Sequence, residues 1–245
     1  MATSTSYGLV GLELRLPNDE IHVWDAELDV PPTVLGRLEA ALSGDERTRA
    51  DRFFFARDRN RFIAARAILK QLLGRYLGRG PEDFEFGYGP YGKPYLEAKQ
   101  GLPPIRFNLS HSSGKAVFAF TSGSEVGVDL ESVRADFARD EIAEAHFSQR
   151  ELKELRRLSP SLKPEGFFLC WTRKEAYVKA QGAGLQIPLT SFSVSLTPGQ
   201  PEELESTDRD RWKIRSFRPA PGYVGAVVAE GKDWNLQRWH WQFSG

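Results

Sequence analysis

Two carboxylates two residues apart are the first indication of chemistry in this chain. Residues 126–131 read Val-Gly-Val-Asp-Leu-Glu, which predicts a β-strand with Asp129 and Glu131 on one face. Two carboxylates so close together repel each other and are poor strand formers. A hard cation such as Mg²⁺ relieves that repulsion by binding both of them. Two hydrated acids at a strand end are the structural alternative.

A second candidate group lies in residues 165–181, which the apolar periodicity predicts to be a helix. Trp171, Glu175 and Lys179 are spaced by four residues and therefore share one helix face. Because the rest of the helix is apolar, we expect Glu175 to be partly buried, where a carboxylate gains most from a cation or from a proton to transfer. A surface ion pair beside a half-buried ring accounts for the same spacing.

Several polar and basic residues offer ligands for a phosphate. Ser110 and His111 lie where a predicted strand enters a turn, and their side chains and backbone can donate hydrogen bonds to an anion. Turn residues also bond to their own backbone. Lys93 lies in a Gly/Pro loop that can approach an anion closely. Residues 47–66 hold seven arginines interleaved with phenylalanines, which suits either a phosphate and a stacked base or a solvated helix face.

Helices and strands must position these residues. Apolar periodicity predicts helices over residues 33–42, 45–77, 136–145, 149–158 and 165–181, and strands over residues 9–16, 21–30, 105–109, 116–121, 126–131, 192–196, 212–217, 223–229 and 234–241. Helices followed by strands occur twice along the chain. We therefore predict an α+β fold of two similar halves, residues 1–124 and 125–245, with a ligand cleft between them.

Composition excludes several classes of function. The 245 residues include 33 basic and 33 acidic side chains, a balance that argues against generic binding of nucleic acid or of a membrane surface. A single cysteine, Cys170, excludes an intrachain disulfide and a multi-cysteine metal site. The sequence has no signal-peptide pattern and no apolar run of about 18 residues, so we expect a soluble protein of the cytoplasm.

Taken together and in this order, the segments resemble one family, the Sfp-type 4′-phosphopantetheinyl transferases. The likeness lies in a Gly-Lys-Pro loop at residues 92–94, in Phe-Asn-Leu-Ser-His-Ser at 107–112, in residues 126–131, and in Trp-Thr-Arg-Lys-Glu-Ala-Tyr-Val-Lys at 171–179. The resemblance implies a monomer with pseudo-twofold symmetry and coenzyme A in the cleft between the halves. It also implies transfer of the 4′-phosphopantetheine arm of coenzyme A to a serine of an apo acyl or peptidyl carrier protein, with release of 3′,5′-ADP.

The same resemblance assigns roles to individual residues. It implies a site for Mg²⁺, or for Mn²⁺ in its place, on Asp129, Glu131 and Glu175. From these assignments we predict catalytic roles for Glu175, Lys179 and Asp129, and we expect Glu175 to take the proton of the carrier serine, either directly or through a metal-bound water. Contacts with coenzyme A are implied for Arg49, Arg61, Lys93, Ser110, His111, Lys174 and Lys179, and a further acidic site residue is implied at Glu151. Ser148 and Glu151 also match a capping box at the start of the helix predicted over residues 149–158, which offers Glu151 a purely structural role.

One position departs from the family pattern. Relatives hold the 3′-phosphate with lysines in the segment that here reads Asp-Glu-Arg-Thr-Arg at residues 45–49, and Glu46 falls where a lysine is expected. Arg49 replaces one lysine, and Arg47 can substitute for the other by a small shift.

A non-catalytic module that binds coenzyme A or a carrier protein is the alternative function for the same residues. Such a module has no need of three metal-binding carboxylates, which favours an enzyme. A metal-dependent nuclease or another phosphotransferase also uses paired carboxylates, but it leaves residues 107–112 and the loop at 92–94 unexplained.

Overall fold

The computed structural model of the chain describes residues 14–97 and 103–243, and it has the predicted mixture of helices and strands. The helices are α1 (Pro32–Glu39), α2 (Gly44–Ala50), α3 (Ala56–Leu77), α4 (Asp140–His146), α5 (Gln149–Arg157) and α6 (Lys163–Gln181). The strands are β1 (Glu20–Glu27), β2 (Phe86–Tyr88), β3 (Pro94–Leu96), β4 (Ile105–Ser112), β5 (Lys115–Ser122), β6 (Val126–Ser132), β7 (Ser193–Val194), β8 (Leu204–Glu205), β9 (Trp212–Phe217), β10 (Tyr223–Glu230) and β11 (Asn235–His240). The strand predicted over residues 9–16 lies outside the described residues except for positions 14–16, which are not in a strand. No described helix has the length and apolar content to cross a membrane.

The first sheet packs against helix α3. Its strand order is β11-β1-β5-β4, and β5 is antiparallel to both of its neighbours. Apolar residues at helical spacing, such as Ile68 and Leu72, are buried in one core with Phe118 of β5. The helix ends at Gly78, whose left-handed backbone (φ 61°) closes the last turn. This core fixes β4, the edge strand that bears Ser110.

The second sheet packs against helix α6 in a similar way. Its strand order is β6-β10-β9, and all neighbouring strands are antiparallel. Ala176 of α6 and Val228 of β10 are fully buried in the same core. Strand β6, which bears Asp129 and Glu131, is an edge strand of this sheet and lies beneath α6.

The last described strand returns to the first sheet. β11 runs parallel to β1, with Glu20 opposite Asn235 and Asp25 opposite His240. The predicted division at residue 124 therefore separates β11 from the sheet to which it belongs. An alternating pattern predicts a strand and its buried face, but it does not identify the partner strand.

The helix predicted over residues 45–77 is two helices in the structure. Ser43 and Glu46 form a capping box that starts α2, and α3 begins only at Ala56. Phe53, Phe54 and Phe55 lie between them, and Phe54 is 92% exposed. Three consecutive side chains point in three directions around a helix, so these rings cannot all face one core.

A buried ion pair holds α6 against α5. The side chains of Lys174 and Glu151 are both 0% exposed, and Lys174 Nζ lies 2.7 Å from Glu151 Oε1. Lys174 also donates to the carbonyl of Phe192 (2.8 Å), and Glu151 accepts from the backbone N–H of Val194 (2.7 Å). The predicted capping box of α5 is confirmed, because Glu151 also accepts from the N–H of Ser148. These bonds compensate both buried charges.

Removing the cation of this pair tests its contribution to the fold. Lys174→Met leaves the Glu151 carboxylate buried without its partner charge, so we expect the free energy of unfolding to fall by about 3–5 kcal/mol in denaturant titrations. Lys153→Met, at an exposed position of α5, is the matched control and should change it by no more than about 0.5 kcal/mol. Equal stabilities of the two variants would contradict a stabilising role.

Candidate active site

The edges of the two sheets meet, and predicted site residues lie along this contact. β4 and β6 are neighbours in space but belong to different sheets. The hydroxyl of Ser110 donates to Asp129 Oδ1 at 2.8 Å. Two residues further along β4, the hydroxyl of Ser112 donates to Glu131 Oε2 at 2.7 Å. Residues i and i+2 of a strand share one face, so each carboxylate of β6 meets a hydroxyl of β4.

A third side chain of β4 takes part in this contact. Asn108 Oδ1 accepts a hydrogen bond from the backbone N–H of Val128 at 2.9 Å. We call Asn108, Ser110 and Ser112 the polar seam. All three lie in the segment 107–112 that carries the family resemblance, but the resemblance assigned a role to Ser110 alone. The signal for the other two is the spacing of two residues, which places all three on one face of the strand.

Asp129 is the most enclosed carboxylate of the site. Its Oδ1 lies 2.6 Å from Lys179 Nζ, which also contacts the Ser110 hydroxyl at 3.2 Å. Its other oxygen, Oδ2, is buried and has no hydrogen-bond partner among the described residues. A buried carboxylate oxygen without a donor is costly, so Asp129 has coordinating capacity that the fold itself does not use.

The close approach of α6 to β6 depends on Gly127. A Cβ at this position would lie 2.1 Å from the carbonyl oxygen of Ala176 and 2.3 Å from the backbone nitrogen of Ala180. Any other residue would push the helix away from the strand. Glycine therefore permits the distance at which Lys179 reaches Asp129.

The other two predicted carboxylates are destabilised in their charged form. Burial raises the pKa of Glu131; the Ser112 hydroxyl lowers it, and the charge of Asp129 raises it further. Burial also raises the pKa of Glu175, and the charge of Asp129 adds to that effect while Lys179 opposes it. Both carboxyl groups therefore bind a proton or a cation more readily than exposed glutamates do.

Glu175 and Lys179 open into a cavity of about 310 Å³. The remainder of its wall is largely apolar and is formed by residues of both halves, including Leu109, Val178 and Ile187. This cavity is therefore an apolar compartment beside the carboxylates.

The chemistry of the three carboxylates fits a metal ion better than their spacing does. Within residues 14–97 and 103–243, no three His, Cys, Asp or Glu side chains stand close enough together to hold a metal ion. Their chemistry nevertheless fits a hard cation, because the ligands would all be carboxylate oxygens. The unpartnered Oδ2 of Asp129 and the raised pKa values of Glu131 and Glu175 fit a cation as well.

Lys93, Arg61 and His111 are three of the side chains predicted to bind an anion. Lys93 and Arg61 form hydrogen bonds within the protein. Lys93 Nζ donates to Glu125 (3.1 Å) and to the carbonyl of Val126 (3.0 Å), while burial lowers the pKa of Lys93. Arg61 donates to both carboxylate oxygens of Asp29, at 2.7 and 2.6 Å. His111 is an exposed residue, but desolvation by the neighbouring protein atoms lowers its pKa, and the charges of Lys179 and Arg61 lower it further. These charges place His111 in a cationic environment, which suits an anion.

Comparison with known proteins identifies the family. A model of the 4′-phosphopantetheinyl transferase superfamily matches residues 125–228, and a model of the N-terminal part of a 4′-phosphopantetheinyl transferase matches residues 33–122. The chain is 39% identical to the 4′-phosphopantetheinyl transferase HetI of Nostoc sp. over 93% of this chain and 95% of that protein. The chain belongs to the 4′-phosphopantetheinyl transferase superfamily.

Further relatives of this superfamily member are more distant. It is 30% identical to the 4′-phosphopantetheinyl transferase Sfp of Bacillus subtilis over 80% of this chain and 86% of that protein. A solved structure of the holo-(acyl-carrier-protein) synthase of Bacillus anthracis in complex with CoA is 18% identical, with a TM-score of 0.34, over 43% of this chain and 94% of that chain.

A second, larger cavity of this phosphopantetheinyl transferase lies in the first half. Its volume is about 950 Å³, and Arg49, Arg52 and Tyr88 are among its lining residues. The guanidinium of Arg49 lies over the ring of Tyr88, 5.4 Å from its centroid, and over that of Phe62 at 5.5 Å. The predicted cation Arg49 therefore faces a cavity that has aromatic walls.

Glu46, the departure from the family pattern, has a structural role. Its carboxylate accepts the N–H of Ser43 in the capping box and lies 2.9 Å from Lys70 Nζ and 3.5 Å from Arg66 Nε. The side chains of all three charged residues are at most 9% exposed. Glu46 therefore anchors α2 to α3. Arg47, the suggested substitute for a lysine, donates to the carbonyl of Ala40.

Lys174 and Glu151 do not lie where the family resemblance placed them as site residues. Their ion pair is fully buried in the second half, and Lys174 Nζ is committed to Glu151 and to a backbone carbonyl. Lys174 neighbours Glu175 in sequence but points to a different side of α6, because consecutive helix residues are about 100° apart. Because its side chain is 0% exposed, the ammonium group of Lys174 is not accessible to a bound nucleotide in this structure. Both residues therefore have a structural role in this fold.

The raised pKa of Glu175 predicts a stability gain when its charge is removed. A folded-state pKa above the unfolded value means that charged Glu175 costs stability at pH 7. We expect Glu175→Gln to raise the Tm of the ligand-free protein in EDTA by a few degrees at pH 7. The gain should vanish below about pH 4, where both states are protonated. Asp210→Asn, at an exposed position, is the control; a lower Tm for Glu175→Gln at pH 7 would contradict this account.

Proposed function

We propose that this protein transfers the 4′-phosphopantetheine arm of coenzyme A to a serine hydroxyl of an apo acyl or peptidyl carrier protein, releasing 3′,5′-ADP. The observation that supports this reaction most directly is the cluster of Asp129, Ser110 and Lys179 at the meeting edges of the two sheets, with Glu131 and Glu175 nearby. Family membership supplies the reaction class, and this cluster supplies charged groups suited to a phosphoryl transfer.

Coenzyme A would lie between the two halves. The larger cavity has a cation and aromatic rings that suit the nucleotide end, where Arg49 would contact the 3′-phosphate. The smaller, largely apolar cavity beside Glu175 suits the pantetheine arm. Lys93, Ser110 and His111 would contact the phosphates between these ends, and Arg61 would bind coenzyme A beside its adenosine end. For Arg61, the incoming phosphate must displace or share the carboxylate of Asp29.

Asp129, Glu131 and Glu175 would hold Mg²⁺, or Mn²⁺ in its place, once their side chains move closer together than they stand in this structure. When bound, such a cation would neutralise the negative charge of the reacting phosphates. The unpartnered oxygen of Asp129 and the raised pKa values of the two glutamates support this assignment.

The protein's own side chains would perform the remaining tasks. Lys179 would bind a phosphate oxygen, and Ser110 would orient Asp129. The carrier serine oxygen forms a bond to the phosphorus next to pantetheine, and the bond from that phosphorus to the oxygen of 3′,5′-ADP breaks. Glu175 would take the proton of the serine, a role that suits a carboxylate whose pKa is raised by burial.

The arrangement of the halves supports a pseudo-twofold relation between them. Each half has one long helix packed on a sheet: α3 packs on the first sheet, which is antiparallel except for the parallel pair β1 and β11, and α6 packs on the antiparallel second sheet. Residues 1–124 would provide the nucleotide contacts, and residues 125–245 would provide the carboxylates. We propose that the protein acts as a monomer in the cytoplasm.

Intact-protein mass spectrometry tests the reaction. An apo acyl carrier protein and an apo peptidyl carrier protein would each be incubated with this protein, coenzyme A and Mg²⁺. We expect a gain of one phosphopantetheine, about 340 Da, on at least one carrier, and its loss in EDTA. Coenzyme A binding without any mass gain would instead indicate a non-catalytic binding module.

Glu175→Gln tests the proposed base. Because the amide cannot accept the serine proton, we expect turnover to fall by at least about 100-fold, with the dissociation constant of coenzyme A, measured by calorimetry, changed by less than about threefold. Glu165→Gln, on the same helix but paired with Arg218, is the matched control and should keep its activity. An unchanged rate in Glu175→Gln would exclude a catalytic role for this residue.

A further inference from the structure

The two sheets meet through side chains at the candidate site. β4 and β6 are edge strands of different sheets, so the outward backbone groups of each edge need partners other than a neighbouring strand of its own sheet. Residues of the polar seam supply two such partners. Asn108 Oδ1 accepts the N–H of Val128 at 2.9 Å, and the hydroxyl of Ser112 accepts the N–H of Ser132 at 3.2 Å.

These two bonds lie on either side of Asp129 and Glu131 along β6. The Asn108 bond holds the residue immediately before Asp129, and the Ser112 bond holds the residue immediately after Glu131. Ser112 also donates its hydroxyl proton to Glu131 Oε2 at 2.7 Å. One hydroxyl therefore connects the glutamate carboxylate to the backbone of its own strand and to β4.

We infer that Asn108 and Ser112 are positioning residues that set where Asp129 and Glu131 stand relative to β4. This inference rests on the proposed function. Neither residue needs to touch the reacting atoms, because each acts through β6. Removal of a residue that orients the metal-binding side chains of a site typically lowers metal affinity or activity by 10–100-fold.

The geometry distinguishes this role from general support of the fold. Strand β6 is already held by its full pairing with β10 and by the packing of α6 against it. Loss of the Ser112 hydroxyl removes neither of these contacts, and Ser112 is only half-buried. Its removal therefore leaves the fold in place and frees the Glu131 carboxylate to change its orientation.

Ser112→Ala and Ser112→Thr form the test pair, because threonine keeps the hydroxyl and suits a strand. We expect Ser112→Ala to lower kcat about tenfold, with KM for coenzyme A within about twofold of the wild type. Ser112→Thr should restore kcat to within about threefold. Ser122→Ala, on β5, is the matched control and should keep wild-type values.

Amide exchange followed by NMR gives a second readout that does not need turnover. In Ser112→Ala the N–H of Ser132 should exchange about tenfold faster, since it loses its acceptor. The N–H of Val133, which donates to the carbonyl of Gly222 at 2.8 Å, should stay protected as an internal control. For Asn108, Asn108→Leu should speed the exchange of the Val128 N–H in the same way.

The outcomes separate this inference from the proposed function. A wild-type protein that modifies no carrier would overturn the proposed function and the positioning role together. An active wild type with equal kcat values for Ser112→Ala and Ser122→Ala would overturn the positioning role alone. So would a loss in Ser112→Ala that Ser112→Thr does not reverse, or a change confined to KM.

Discussion

Contact between the backbones of α6 and β6 is the constraint on which the candidate site depends. Gly127 lies where a Cβ would stand 2.1 Å from the carbonyl oxygen of Ala176, so the helix can approach the strand only because this residue has no side chain. At that separation Lys179 reaches Asp129 at 2.6 Å, and Glu175 on the same helix comes within the field of the Asp129 charge. The packing of the two backbones therefore sets the distances from Asp129 to Lys179 and to Glu175. These distances determine how strongly the three charges interact.

The second half contains two groups of buried charges that differ in how completely they are paired: the Lys174–Glu151 ion pair and the cluster around Asp129. The Lys174–Glu151 pair is fully buried, and backbone groups complete its hydrogen bonds. The candidate site instead combines three carboxylates with one close lysine, and one oxygen of Asp129 has no hydrogen-bond partner among the described residues. A satisfied pair contributes to the fold, whereas an unsatisfied cluster retains capacity for a ligand at a cost in stability. This contrast is a physical reason to distinguish the structural ion pair from the functional cluster.

The site also depends on how the two halves are joined. The polar seam connects β4 to β6 beside the carboxylates, and β11 returns to pair with β1 at the far side of the first sheet. Cations from the first half, such as Arg49 and Arg61, can act with the carboxylates of the second only if these connections hold the sheets in place. In the proposed reaction, the first half would supply contacts with the nucleotide and the second half would supply the carboxylates.

The sequence by itself determined most of the local elements and the faces on which site residues lie. A spacing of two residues predicted Asp129 and Glu131 on one face of a strand. A spacing of four residues predicted Glu175 and Lys179 on one face of a helix, and the structure has the same strand and helix. Only the tertiary structure decided that Lys174 is buried away from the cleft, that Glu46 anchors two helices, that β11 joins the first sheet, and that Asn108 and Ser112 hold β6. The reason is that periodicity along the chain specifies which side chains share a face, whereas the partner that covers each face comes from residues far away in the sequence.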